Sequence, residues 1–169
     1  MPPTPRIEIR FQEAGLRRGR NALRAFARDL LAGAVVDLGF PAATVSVLFC
    51  SEAEIQRINR EFRSVDAPTD VLSFPAEDSL DALRAQPAPH LGDIAICLPY
   101  TARAMAAEGR SLDDAVALLL VHGLLHLLGR DHDTKRREAL MWREQDELLA
   151  AFAALPRPRL ELAPLTDSR

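Results

Sequence analysis

The sequence predicts an α+β fold: a single domain with a small four-stranded mixed sheet and about five helices, one of them central and buried. Three observations carry this. Short strand-like runs alternate with longer helical segments in the order β-α-β-α-β-β-α-α-α. The 169 residues are enough for one domain with a sizeable core, and no repeat or second domain shows. One segment, Ala115 to Leu128, is apolar on nearly every helical face, as a helix inside a core would be.

Each element follows from local chemistry. Arg6 to Phe11 alternates Ile7, Ile9 and Phe11 with polar residues, a strand with one buried face. Leu16 to Leu38 reads as a helix with Leu23, Phe26, Leu30 and Leu31 on one side, stopped by Gly39 and Pro41. Its first half carries Arg17, Arg18, Arg20, Arg24 and Arg28, either a solvated face or a basic stripe toward RNA. Residues 44–50, TVSVLFC, form a second strand, and Ser51 with Glu54 makes a capping box for a helix to about Phe62. Asp70 to Pro75 is a third strand, ended by its proline. Residues 76–91 have no periodicity and read as a long loop that contains His90. Residues 91–98 are a fourth strand, and Pro99 suits the first turn of a helix running to Gly109. Ser111 and Asp114 resemble another capping box, opening the leucine-rich helix. A last helix spans about Thr134 to Ala154, capped by Asp133. Residues 155–169 show no packing pattern. They are expected to form a flexible tail, leaving 1–154 as the single catalytic domain.

Composition narrows the function. A net charge of −3 argues against a protein coated in positive charge, but not against a local basic groove. Lys135 is the only lysine, so phosphate contacts would fall to arginine, which binds bidentately. Cys50 and Cys97 are too few for a disulfide framework and read as buried free thiols in a reducing compartment. The N-terminus has no apolar signal region, and Ala115 to Leu128 is too short for a membrane span. The expected location is cytoplasmic, with no membrane partner.

The chemistry concentrates in HGLLHLLGRDH, residues 122–132, which hold three of the four histidines. His122 and His126 are four apart, so a helix places them on one face about 6 Å apart along the axis. Gly129 ends the helix, and a tight turn lets His132 approach from the side. Three converging imidazoles and an open fourth position make a catalytic rather than a structural metal site. A lone histidine on an apolar helix is ordinarily a satisfied core residue; two on one face, with a third past the turn, argue against that reading. Imidazole suits zinc, although iron, nickel and copper also accept it. Zinc peptidases place glutamate directly after the first histidine as general base, and here that position is Gly123.

HGLLHLLGRDH closely resembles the H-G-x-L-H-L-x-G-x-D-H signature of the YbeY family, the bacterial rRNA maturation factors. FRSVDAPTDVLSFP, residues 62–75, resembles the family's R-x-x-D-x-P-T-D-V-L-S-F-P block, and LGDIAIC, residues 91–97, its L-G-D-I-x-I block. The likeness covers roughly residues 45–150. It implies a zincin-like fold and a zinc-dependent, single-strand-specific endoribonuclease. Its substrate would be the 3′ region of 16S rRNA, with roles in rRNA processing and ribosome quality control. His122, His126 and His132 would hold one Zn2+ per chain. The partners would be the small ribosomal subunit and its associated proteins.

By the same resemblance Arg63 is a catalytic candidate, where a guanidinium can bind phosphate and neutralise transition-state charge; a structural ion pair to Asp66 is the alternative. Asp131, beside the third ligand, would orient an imidazole or take a proton. Asp70 and Asp93, at strand starts, are as well explained by capping. Arg130 departs from the family, which often has an aromatic residue there; it either contacts RNA backbone or is idle. Two rivals stand beside this reading. A metal-dependent amide or peptide hydrolase is disfavoured by Gly123, and a non-catalytic ribosome-assembly factor with structural zinc by the open fourth position.

Overall fold

Period-two alternation decides what each face of the sheet packs against. The computed structural model describes residues 1–164. Its main sheet contains β1 (Arg6–Gln12), β3 (Thr44–Cys50), β4 (Val71–Pro75) and β5 (His90–Cys97) in the order β1-β3-β5-β4. β1, β3 and β5 are parallel, and β4 runs antiparallel to β5 at the edge. Val45, Val47 and Phe49 of β3 and Ile94 and Ile96 of β5 point into the main core. The alternate residues Cys50, Ala95 and Cys97 point into a smaller cluster on the other face, with Leu48 packed against it.

α2 (Glu52–Arg63) lies on that second face, held by Ile55 and Ile58. Ser51 caps it as its capping box requires, its hydroxyl accepting from Glu54 N at 3.2 Å. The main core lies between the first face and α1 (Arg20–Asp37), α4 (Leu98–Glu108), α5 (Leu112–Leu127) and α6 (Lys135–Ala151). Ten of the sixteen α5 residues are buried, which its all-round apolar sequence demands. α5 is packed by β4, β5, α1, α4 and α6. The architecture is thus α+β in one small domain with six helices, one more than the sequence pattern gave. No described helix is long and apolar enough to cross a membrane.

Four local readings change. The segment 16–38 is not one helix: Leu16–Arg18 is strand β2, and α1 starts only after Gly19, whose φ of 92° is left-handed. β2 pairs antiparallel with β6 (Glu161–Leu162), a partner far off in sequence that overrides local periodicity. Arg17 and Arg18 therefore lie on β2, apart from Arg20, Arg24 and Arg28 on α1. Arg20 and Arg24 both sit over the Phe11 ring at 5.1 Å, and Arg28 pairs with Asp29. The 76–91 loop contains a short helix, α3 (Leu80–Arg84), capped by Ser79, and His90 belongs to β5. α6 is capped by Thr134 rather than Asp133, which pairs with Arg137 instead.

Residues 155–164 carry contacts that no sequence periodicity signals. Asp113, in the first turn of α5, accepts from the backbone N–H groups of Arg159 (2.8 Å) and Leu160 (3.0 Å), and Pro158 is buried. The remaining residues of the expected tail, 165–169, lie outside the described residues.

Cys50 and Cys97 are register partners on β3 and β5, both fully buried. Burial pushes the Cys50 thiol up to about 12 and the Cys97 thiol to about 11. The folded state keeps protons that the unfolded chain releases near pH 9, so this contribution is intact below pH 9 and is lost as pH rises toward 11. The slope is up to about 1.4 kcal/mol per pH unit for each thiol. Urea denaturation at pH 8, 9 and 10 should show falling stability, and Cys50→Ala should flatten the fall. The single tyrosine and single lysine leave few other groups titrating there.

Candidate metal centre

α5 positions two histidines and the turn after it positions the third. His122 and His126 lie one turn apart on the stretch of α5 facing β4. The helix closes with paired backbone bonds, Arg130 N to Leu125 O and Gly129 N to His126 O, both at 3.0 Å. That closure needs a left-handed residue, and Gly129 supplies it at φ 77°. The chain then reverses. Asp131 Oδ1 accepts from His132 N at 2.7 Å, which holds the turn and aims His132 back at the helix.

One ligand atom from each of His122, His126 and His132 lies within 4.8 Å of the others. The Nε2 atoms of His122 and His126 are 3.0 Å apart. Two nitrogens bound tetrahedrally at ~2.0–2.1 Å would be about 3.3 Å apart, so the donor set fits a single small cation. His122 Nδ1 is 3.2 Å from Gln145 Oε1. With its proton on Nδ1 the ring donates to that amide, and its Nε2 lone pair is free on the side of His126. Burial lowers both the His122 and His126 imidazoles from the usual histidine range, and neighbouring imidazoles add to it. Neutral rings are the form that binds metal. His132 is exposed, so the cluster opens to solvent on its side.

The histidines line a cavity of about 600 Å3 together with Arg63, Asp70, Arg130 and Asp131. Arg63 comes from the last turn of α2 and crosses the edge of β4. Its guanidinium donates to Ser73 O at 2.6 Å and lies 5.3 Å from the Phe74 ring centre. The ion pair to Asp66 does not form; Asp66 takes Gln56 and Arg60 instead, and no carboxylate among the described residues pairs with Arg63. The Asp131 carboxylate reaches the cavity but bonds backbone, and Gln145 is the group that orients an imidazole. Asp70 caps β4 by accepting from Val71 N at 2.7 Å. Asp70 still lines the histidine cavity, whereas Asp93 lies on the opposite face of the sheet beside His90, away from the cluster. Arg130 is held by Glu144 at 3.0 Å while lining the cavity wall.

Gly123 explains why no glutamate follows His122. A Cβ there would meet Ile94 Cγ2 at 3.0 Å and Ser73 Oγ at 3.2 Å. The residue after the first histidine faces the sheet, not the cavity, and any side chain there would crowd Ile94 and Ser73. Gln145 escaped the sequence reading, but a signal was present. It sits between Met141 and Leu148 on the buried stripe of α6, and a polar residue on such a stripe needs a partner.

Two outcomes follow. Gly123→Glu should lower unfolding free energy by about 3–5 kcal/mol, through overpacking and a buried charge, and should confer no peptidase activity; urea denaturation and a peptide-cleavage assay check both. Gln145→Leu should weaken divalent-metal binding about 10- to 100-fold, read by competition with a chromogenic chelator, with little loss of fold.

A family model described as Endoribonuclease YbeY matches residues 9–153. The Endoribonuclease YbeY of Geobacillus thermodenitrificans is 43% identical over 114 residues, spanning 65% of this chain and 73% of its own. That of Moorella thermoacetica is 40% identical over 146 residues, spanning 84% and 94%. The solution structure of TM1509 from Thermotoga maritima superposes with a TM-score of 0.58 over 94% of this chain and 99% of its own; at 24% identity this is a likeness of fold. The histidine-lined cavity thus lies within a chain that belongs to the YbeY endoribonuclease family.

Proposed function

We propose that this chain is a metal-dependent endoribonuclease of zincin-like fold, with α5 as its central metal-binding helix, acting on single-stranded RNA. The carrying observation is that three imidazoles and an arginine with no carboxylate partner among the described residues share one cavity. His122, His126 and His132 are the ligands of one ion, and imidazole donors favour zinc. When bound, the ion supplies Lewis acidity for phosphodiester hydrolysis. Arg63 holds the scissile phosphate. One guanidinium nitrogen is tethered to Ser73 O, which fixes its direction, and the remaining N–H groups stay free for phosphate oxygens. Asp131 Oδ1 is committed to backbone, and its other oxygen is the proton acceptor at the cavity mouth.

Family membership supports the finer reading: maturation of the 3′ end of 16S rRNA and ribosome quality control, in the cytoplasm, on the small subunit with its associated proteins. Residues 1–154 are proposed as the catalytic unit. The amide-hydrolase alternative loses support because Gly123 packs on the sheet, leaving no place for the peptidase glutamate. The structural-zinc alternative loses support because, among the described residues, only three candidate ligands converge and one is exposed.

The test is cleavage of a labelled single-stranded RNA by zinc-loaded protein. His126→Ala, purified in parallel, should lose at least about 1000-fold in rate. Arg63→Ala should lose about 100- to 1000-fold in kcat/KM while binding zinc normally. Equal cleavage by wild type and His126→Ala would place the activity outside this cluster.

A further inference from the structure

α2 carries one aromatic side chain that its packing does not use. Its buried stripe is Ile55, Ile58 and Asn59, and Phe62 continues that stripe past the edge of the cluster beneath. Phe62 is 62% exposed, the one phenylalanine among the exposed large apolar residues. Its ring meets Phe74 edge-on, with centroids 5.5 Å apart and planes at 61°. Both rings line a groove of about 710 Å3 on the face of the sheet away from the histidines.

The groove's chemistry is specific. Ile58, Phe62 and Phe74 make apolar walls, and Arg10, Gln12 and Ser46 bring hydrogen-bonding groups from β1 and β3. Its acidic residues are Glu54, engaged by Arg57 at 2.8 Å, and Asp93, beside His90 at 3.7 Å. Against them stand Arg10 and Arg57, so the groove has no net positive charge to draw in a phosphate backbone. Flat apolar walls with polar groups between them suit a planar heterocycle with polar edges.

The groove also adjoins the histidine cavity through one residue pair. Phe74 lies in its wall, and the Arg63 guanidinium, which lines the other cavity, stands 5.3 Å from the Phe74 ring centre. A phosphate on Arg63 and a base on Phe62 would each be anchored within one side chain of Phe74.

We propose that this groove is a nucleobase subsite, in which a base next to the scissile phosphate stacks on Phe62 while Phe74 sets the angle of that ring. It rests on the RNA reading above and gives that reading an aromatic stacking platform beside Arg63, of the kind single-strand binding combines with charge.

The test is fluorescence anisotropy of zinc-loaded protein with a labelled, cleavage-resistant 2′-O-methyl single-stranded oligonucleotide, and with the same backbone lacking bases near its centre. Phe62→Ala and Phe62→Leu should bind the base-bearing strand about 10- to 100-fold more weakly, and Phe62→Tyr should bind within about twofold of wild type. The abasic strand should bind wild type and Phe62→Ala alike. Thermal midpoints confirm that each variant folds. Full affinity in Phe62→Ala, or rescue by Leu, overturns the stacking subsite; if Arg63→Ala still weakens binding, the RNA reading survives it. A wild-type protein that neither binds the strand nor cuts RNA overturns both.

Discussion

Helix α5 lies close against the sheet at Gly123, where a Cβ would come within 3.0 Å of Ile94 Cγ2 and 3.2 Å of Ser73 Oγ. The site depends on that contact. It brings the His122–His126 face of α5 level with β4, over whose edge Arg63 reaches. It also leaves α5 buried from several sides, so its imidazoles are desolvated and kept neutral. A side chain at Gly123 would have to displace Ile94 or Ser73. The position that other metal hydrolases use for a base is here a packing contact.

β4 is the second organising element, because an edge strand has two usable faces. Ser73 points toward α5, and its carbonyl tethers Arg63. The next residue, Phe74, points to the α2 face and meets Phe62 edge-on. Period-two alternation thus puts adjacent residues of one strand into two cavities. Arg63 joins them, since α2 ends where its last side chains overhang the strand.

Much of this was legible locally. Alternation in β1 and β3, the Ser51 and Ser111 caps, Pro99 at a helix start and Gly129 at a helix end are short-range effects of sterics and hydrogen bonding, and each lies where the residues require. The three histidines could be brought together on paper because four-residue spacing plus a reversing turn is also local. Some misreadings were local, as at the Ser79-capped α3 and the Thr134 cap of α6, and one came from a partner far away in sequence. Leu16–Arg18 became strand because Glu161–Leu162 lies beside it. Gln145, whose partner no local pattern names, reaches His122 from another helix, α6.

By itself the sequence determined the fold class, the order of elements and the chemistry of the cluster, since helical and strand periods, caps and ligand spacing act over a few residues. Tertiary structure alone decided what each group faces. Among the described residues it left Arg63 without a carboxylate, and it turned Asp93 to the far side of the sheet. It put Gly123 against Ile94 and left Phe62 uncovered. Those outcomes depend on distances between elements, which packing sets and no local pattern encodes.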